Sequence, residues 1–180
     1  CNFENNIAYI NATVRFDSSM GNIAFCNFTD NVAGSAAGIY VYINDVNIEQ
    51  CRFTNNNATS GNGGAIFIDA HPTLNYNNAH IIHCEFDDNI AKGNGGAIYT
   101  LTKDNTVSEC IFIANTANDG GAIYSTGQNA VITYSNFTRN NALNEGGAAY
   151  LIGVNSDISY SNFINNTAVY NSGGVGGAVR

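Results

Sequence analysis

The chain repeats one short pattern at nearly constant intervals, and this period restricts the folds available to it. The pattern is Cys or Ser, any residue, Phe, any two residues, Asn, any residue and Ala. Its seven copies begin 25, 25, 33, 26, 25 and 26 residues apart. A period near 25 residues is typical of solenoids, in which each repeat forms one coil and packs only against the coils beside it.

Each position of the pattern forms a column along the chain. The first column consists of Cys1, Cys26, Cys51, Cys84, Cys110, Ser135 and Ser161. The second column consists of Phe3, Phe28, Phe53, Phe86, Phe112, Phe137 and Phe163. A second pattern, Gly-Gly-Ala-Ile followed by an aromatic residue, is clearest at residues 63–67, 95–99 and 120–124. A β-branched apolar residue also lies three positions before the Cys or Ser in copies two to seven.

The composition favours strands over helices in these coils. The chain has one Pro, 19 Gly and 11% aromatic residues, and it lacks the 3.6-residue apolar periodicity of long helices. We therefore predict an all-β fold, a parallel β-helix solenoid of about seven coils of about 25 residues, with three short strands per coil. Residues two apart on a strand share a face, so the Cys and Phe columns are predicted to form an inward core ladder.

Three features of the repeat predict corners between the strands. The Asn three positions after Phe is predicted to adopt the left-handed backbone conformation, which Asn tolerates better than most residues. The glycine pair is predicted to form the next corner, where the backbone turns without a Cβ atom. The apolar residue three positions before Cys is an odd number of steps away, so a bend is predicted between the two.

The repeats cover the whole chain, so residues 1–180 are predicted to form a single β-helix domain. The longest step, from Cys51 to Cys84, contains about eight extra residues and the only Pro. This step predicts an insertion loop around residues 69–78, and residues 169–175 predict a smaller one. Neither end of the sequence resembles a capping coil, which predicts a segment of a longer rod.

The charge and hydropathy of the chain argue against several partners. Six Lys and Arg residues against 14 Asp and Glu residues give a net charge of -8, which disfavours binding to nucleic acid or to an anionic membrane. No apolar run approaches the length of a membrane helix, so no membrane-spanning segment is predicted in this stretch. The repeat carries no cofactor motif, and no cofactor is predicted.

Two motifs recur together along the chain, Gly-Gly-Ala-Ile and Phe-x-x-Asn, as at Gly120–Ile123 and at Phe112 and Asn115. This combination resembles the repeats of chlamydial polymorphic outer-membrane proteins. It is similar also to repeats of adhesin-like surface proteins from methanogenic archaea and of large repeat proteins from some protists. The first two copies lack the glycine pair, and the last two lack the Cys. The resemblance implies a right-handed parallel β-helix at a cell surface, often with a role in adhesion. It implies no catalytic residue.

The cysteines and histidines are the first candidates for local chemistry. Neighbouring Cys residues on coils about 4.8 Å apart are within disulfide range, but side chains in register on parallel strands point the same way. Because Ser135 and Ser161 occupy the same column, the position requires a small buried side chain, and reduced core cysteines are predicted. His71, His80 and His83 lie in or beside the insertion loop, but His80 and His83 are an odd step apart, so no metal site is predicted.

Carboxylates are the candidates for catalysis. Asp87 and Asp88 are adjacent and diverge on a strand, and Asp119 and Glu145 lie near the glycine corners of successive coils. No Lys or Arg recurs beside them, so no catalytic residue is predicted. A carbohydrate-active β-helix enzyme, of the polysaccharide lyase or hydrolase type, is the alternative interpretation.

Outward aromatic residues are the best indication of binding. The aromatic residue after Gly-Gly-Ala-Ile forms an outward stripe if the Ile faces the core; otherwise this column belongs to the core. The candidate glycan- or partner-binding aromatics are Tyr40, Phe67, Tyr99, Tyr124, Tyr134, Tyr150 and Tyr160. The Asn-x-Ser/Thr sequons predict N-glycosylation candidates at Asn11, Asn27, Asn57, Asn136 and Asn165.

We therefore interpret the chain as a non-catalytic structural or adhesin-like repeat segment, extracellular or at the cell surface, that mediates display, adhesion or assembly. The expected partners are a protein or glycan on another cell or matrix, or neighbouring copies of the chain itself. A third interpretation is a subunit of an extracellular filament, with contacts through open coil ends or the aromatic stripe.

Overall fold

The architecture follows from strands that stack coil upon coil. A computed structural model describes residues 1–17, 21–42, 45–70, 78–169 and 176–180. Within these ranges the regular elements are β-strands, and all of their pairings are parallel. The predicted all-β, parallel β-helical solenoid is therefore confirmed.

The first six coils each contribute to four sheets rather than the three predicted, because the stretch before Cys forms a strand of its own. In the described residues, sheets A and B have seven strands each, and sheets C and D have six each. Sheet A consists of Asn2–Glu4, Asn27–Thr29, Arg52–Thr54, Glu85–Asp87, Ile111–Ile113, Asn136–Thr138 and Asn162–Ile164. Sheet B consists of Ile7–Asn11, Val32–Ser35, Asn57–Ala58, Ile90–Ala91, Thr116–Ala117, Asn141–Ala142 and Thr167–Ala168.

The other two sheets complete the coil. Sheet C consists of Val14–Phe16, Ile39–Tyr42, Ile66–Asp69, Ile98–Thr100, Ile123–Ser125 and Ala149–Leu151. Sheet D consists of Gly21–Ala24, Val46–Glu49, Ala79–Ile82, Thr106–Ser108, Val131–Thr133 and Asp157–Ser159. A coil therefore runs from A through B and C to D, and each strand pairs with its equivalents one coil before and one coil after.

Apart from a register shift between Ala8 and Asn11, where the first two coils pair in sheet B, the coils align residue for residue, even across the longest step. Ile81 pairs with Ile48 on one side and with Val107 on the other. The extra residues lie in the sequence between the sheet C strand Ile66–Asp69 and the sheet D strand Ala79–Ile82, and the columns keep their register on both sides. Residues 71–77 of the predicted loop around 69–78 lie outside the described residues, as do residues 170–175 of the smaller predicted insertion.

The Phe column is the axis of the core. Neighbouring rings stack with centroids 4.6 to 4.9 Å apart and interplanar angles of 10° or less. The inner members are fully buried, whereas the first and last members, Phe3 and Phe163, are half-buried. Inward Ile residues of sheets C and D, such as Ile123 and Ile81, pack against the same core. Dispersion between stacked rings and burial of apolar surface thus recur in every coil.

The Asn after Phe is not the corner residue, and this part of the sequence-based prediction is wrong. The residue before it turns the chain in the left-handed region, with φ of 53 to 57° at Asn5, Asp30, Asn55, Asp88, Ala114, Arg139 and Asn165. The Asn itself forms a ladder, and its five inner members, from Asn31 to Asn140, are buried. Nδ2 of Asn115 donates to Oδ1 of Asn140 at 2.9 Å and to the carbonyl oxygen of Phe86 at 3.0 Å. Oδ1 of Asn115 accepts from the backbone N–H and Nδ2 of Asn89.

The other two predicted corners are present. Gly120 begins the turn from sheet B to sheet C with a φ of 60°, and Gly121 approaches the coil beside it so closely that a Cβ atom there would lie 2.7 Å from the backbone nitrogen of Asn141. The bend before Cys is a second left-handed residue, Glu109 in one coil and Tyr134 in the next, with φ of 53° and 49°. The side chain at this bend points away from the core.

Candidate functional site

The cysteine column is a set of hydrogen-bonded thiols rather than a reactive site. All five cysteines are free, and four of them are buried, whereas Cys1 is exposed. Sγ of Cys110 donates to the carbonyl oxygen of Ser108 at 3.2 Å and accepts from the backbone N–H of Cys84 at 3.4 Å. Oγ of Ser135 makes the equivalent bonds, which explains why Ser occupies this column. The hydrogen bond with Cys110, together with burial, raises the pKa of the Cys84 thiol to about 12.

The histidine candidates do not form a metal site in the described residues, whereas the acid candidates Asp119 and Glu145 lie close enough for their charges to interact. His71 lies outside the described residues, and no group of three or more His, Cys, Asp or Glu side chains in the described ranges is placed to hold a metal ion. Glu145 forms an ion pair with Arg180. Burial raises the pKa of the neighbouring Asp119 carboxyl, and the negative charge of Glu145 adds to this shift.

The aromatic stripe lies on the outer face of sheet C. The residues Ile39, Ile66, Ile98, Ile123 and Ala149 face the core, so the residue after each of them faces outward. The stripe consists of Tyr40, Phe67, Tyr99, Tyr124 and Tyr150, with neighbouring ring centroids 4.8 to 5.2 Å apart. Tyr40 is only 7% exposed, and the other four are half-buried.

The rings of the stripe differ in orientation: Tyr99 and Tyr124 stack at 11°, whereas Phe67 meets Tyr40 and Tyr99 edge-on at 63° and 78°. At its two ends, Arg15 lies 4.9 Å from the ring centroid of Tyr40 and Arg180 lies 5.5 Å from that of Tyr150. The hydroxyl of Tyr40 donates to Oδ2 of Asp69 at 2.5 Å. Burial is the main cause that raises the pKa of the stripe tyrosines, so they are neutral hydrogen-bonding groups near neutral pH.

A second aromatic pair lies at the bend between sheets D and A. Tyr134 and Tyr160 stack with centroids 5.0 Å apart and an interplanar angle of 8°. They are 58% and 76% exposed, far more than the stripe. The left-handed backbone at this bend points both side chains into solvent.

A groove adjoins this pair on the side of the preceding coils. It has a volume of about 500 Å³ and is lined by His83, Glu109, Cys110, Ile111, Tyr134 and Asn136. Oε2 of Glu109 lies 2.8 Å from Nε2 of His83, so the Glu109 carboxylate leans away from Tyr134. The groove therefore combines an aromatic ring, an apolar side chain and several hydrogen-bonding groups.

The predicted glycosylation candidates differ in exposure. Asn27, Asn136 and Asn165 are exposed, whereas Asn11 and Asn57 are half-buried within strands of sheet B. Nδ2 of Asn162 donates to Oδ1 of Asn136 at 2.9 Å on the outer face of sheet A. Glycosylation of these residues stays a prediction.

Two features were missed by reasoning from the sequence. The asparagine ladder had a signal, because an Asn that recurs at a fixed distance from a core Phe is better explained by burial with paired amides than by a turn. The groove had none, since His83, Glu109 and Tyr134 hold the same position in three successive coils but share no residue type. Only the stacking of coils brings them together.

Comparison with known proteins finds a family model that matches part of the chain. The sequence model of the Chlamydia polymorphic membrane protein repeat matches residues 50–69, 83–101 and 109–126. Three segments of the chain are therefore similar to the polymorphic membrane protein repeat. Each matched segment begins at the bend before Cys and ends on or just after the sheet C strand, so each match covers sheets A, B and C of a coil and omits sheet D.

One curated relative is an outer-membrane protein. The chain is 54% identical over 46 residues to the protein described as "Probable outer membrane protein PmpG" from Chlamydia muridarum. This match covers 24% of the chain and 4% of the relative, so the chain spans a small fraction of that protein. No solved structure matches the chain. The resemblance to polymorphic outer-membrane proteins and the predicted location at the cell surface are confirmed.

The described part of the chain contains no helix long and apolar enough to cross a membrane.

Proposed function

We propose that these repeats form a non-catalytic rod that presents its outward side chains for adhesion at the cell surface. The observation that supports this function is that the recurrent residues of a coil maintain the fold, whereas its outward residues vary and face solvent. The recurrent Phe, Asn, Cys and Gly residues are all occupied by packing, ladders and corners. The outward positions carry exposed aromatic residues that the fold does not require, and such residues favour contact with another surface.

The carboxylates also support a non-catalytic role. Catalysis on a glycan by two carboxylates requires that both reach the same bond from a shared cleft. Glu145 is held by Arg180, and the groove beside Tyr134 contains a single carboxylate, that of Glu109. The partner of the rod is a glycan or protein on another cell or matrix.

Adhesion can be measured with beads coated with the purified chain. We expect the coated beads to bind cultured animal cells or matrix-coated plates more than albumin-coated beads do. A chain in which the stripe residues Tyr99 and Tyr124 and the bend residues Tyr134 and Tyr160 are changed to Ser should bind less and keep its strand content by circular dichroism.

Three results would contradict this function. If the coated beads bind no better than albumin-coated beads, the adhesive function is wrong. Release of oligosaccharides from polysaccharides by the chain would show an enzyme instead. Concentration-dependent polymers in sedimentation, without bead binding, would favour the filament.

A further inference from the structure

We propose that the groove beside Tyr134 binds one pyranose ring of a glycan chain. This inference rests on the proposed adhesive function and assigns a ligand class to one place on the rod. It depends on the free face of Tyr134, on the apolar floor at Ile111 and on the polar groups around them.

The first requirement for sugar binding is an accessible aromatic face. Tyr160, in the following coil, covers one face of Tyr134. The groove residues His83, Glu109 and Ile111 belong to preceding coils, so the opposite face of Tyr134 borders the groove. The C–H face of a pyranose packs on such a ring, and this packing removes apolar surface from water. The aromatic residues of the stripe on sheet C are buried or half-buried, so they offer less accessible ring surface than Tyr134, which is 58% exposed.

The second requirement is a wall of hydrogen-bonding groups that matches sugar hydroxyls. Glu109 supplies carboxylate acceptors, His83 supplies an imidazole, and Asn136 supplies an amide whose Oδ1 already accepts from Asn162. Hydroxyl groups both donate and accept, so they suit such a mixed set. Ile111, 42% exposed, completes the floor. Few polar groups around an apolar surface are typical of small-ligand sites.

A basic side chain of a protein partner is the competing occupant. It would stack on Tyr134 and pair with a carboxylate. Glu109 is the single carboxylate among the lining residues, and its Oε2 is already shared with His83 at 2.8 Å, so a cation would have only Oε1 of one shared carboxylate as its counter-charge. The groove therefore suits a neutral, hydroxyl-rich ligand better than a cationic one.

Saturation-transfer difference NMR on the intact chain tests the site. The probes are the methyl β-pyranosides of glucose, galactose and N-acetylglucosamine. We expect ring protons of at least one sugar to receive saturation from the chain. Tyr134→Ala should weaken this sugar's binding by about tenfold, whereas Tyr134→Phe keeps the ring and should retain binding.

The chain offers a closely matched control. Phe25 occupies the same bend in an earlier coil, has a φ of 55° and is 70% exposed, but it does not line the groove. Phe25→Ala should leave sugar binding unchanged. If Tyr134→Ala does not fold, as judged by thermal melting, Ile111→Arg fills the groove from the outer face of sheet A and should abolish the signal.

The inference is overturned if no sugar receives saturation, or if Phe25→Ala and Tyr134→Ala weaken the signal equally. It is also overturned if acetyl-arginine methylamide binds in a Tyr134-dependent manner and the sugars do not. Bead adhesion separates this failure from that of the proposed function. If the beads adhere and the sugars fail to bind, the adhesive function is supported and only the proposed sugar site in the groove is rejected.

Discussion

The buried amide of Asn115 shows how a single side chain links two neighbouring coils. Its Nδ2 and Oδ1 bond to groups in the coils before and after it, and it is fully buried. Such a polar residue is tolerated in a core because every hydrogen-bonding group is paired. The same paired amide recurs at Asn56, Asn89 and Asn140.

Removal of one amide from the ladder should therefore be costly. We expect Asn115→Ala to lower the free energy of unfolding by about 3 kcal/mol, since the partner groups of Asn89, Asn140 and Phe86 lose their bonds in a buried environment. Asn162→Ala, which removes an exposed amide, should cost about 0.5 kcal/mol or less. Urea denaturation followed by circular dichroism measures both. Equal effects of the two changes would contradict the ladder's role.

The thiol column predicts that Ser replaces Cys at little cost. Cys110→Ser should change the free energy of unfolding by about 1 kcal/mol or less, because the hydroxyl of Ser135 already makes the equivalent bonds one coil away. Cys110→Val has a similar size but leaves the backbone N–H of Cys84 without its acceptor, and it should cost about 2 kcal/mol. Thermal or urea unfolding of both variants decides between packing alone and packing with hydrogen bonds.

The Asp119 carboxyl makes stability depend on pH. Burial raises its pKa in the folded chain above the ordinary value of 3.8, so the folded chain binds this proton more tightly than the unfolded chain does. The resulting stabilisation is complete below pH 3.8 and is lost as the pH rises through the raised pKa. Relative to Asp119→Asn, the unmodified chain should therefore lose stability across this window. A constant difference in unfolding free energy between the two chains over these pH values would contradict the prediction.

At the scale of the strand and its corner, glycine controls how closely coils approach. A Cβ atom on Gly121 would meet backbone atoms of Asn141 and Gly147 in the coil beside it. A Cβ atom on Gly21 would meet only side-chain atoms of Phe16 and Val46, at 3.2 to 3.5 Å. Backbone cannot move aside as a side chain does, so the two glycines differ in what they tolerate.

Substituting Ala at each of these two glycines should distinguish the cost of a contact with backbone atoms from that of a contact with side chains. We expect Gly121→Ala to lower the unfolding free energy by about 3 kcal/mol, because the coils must separate at that corner. Gly21→Ala should cost about 1 kcal/mol or less. Chemical denaturation measures both, and a Gly121→Ala chain as stable as the unmodified one would show that the corner can relax.

The sequence predicts these elements unevenly, for physical reasons. The period, the inward Cys and Phe columns and the glycine corner follow from strict spacing, because each is needed in every coil. The fourth sheet was missed because its strand, such as Val131–Thr133, is short and is separated from the Ser135 position by one left-handed residue, Tyr134. That bend carries Phe, Gln, His, Glu and Tyr in different coils, so its backbone geometry leaves no residue signature.

For the molecule as a whole, the energy of the fold is distributed coil by coil. Every coil adds one stacked Phe, one paired amide and one set of backbone hydrogen bonds to its neighbours. In such quasi-one-dimensional proteins a local defect weakens the adjoining coils most. The interior therefore has no single centre on which stability depends.

Truncation of one Phe tests this picture. Phe112→Ala should lower the free energy of unfolding by about 3–5 kcal/mol, since the ring is fully buried between Phe86 and Phe137. Hydrogen exchange should rise in the coils beginning at Cys84, Cys110 and Ser135 and change little near Cys26. Ile111→Ala, on the outer face of the same strand, is the control and should cost about 1 kcal/mol or less. A uniform rise of exchange along the chain would show one cooperative unit instead.

The residue-for-residue stacking of the coils also bears on how a gene for such a protein can change. Deleting codons 110–134 would join Glu109 directly to Ser135, a junction of the kind already present between Tyr134 and Ser135. The Phe, Asn and Gly columns would close up with their hydrogen-bonding partners unchanged. Recombination between repeats can thus lengthen or shorten the rod by whole coils, and each event places different outward residues side by side without altering the interior.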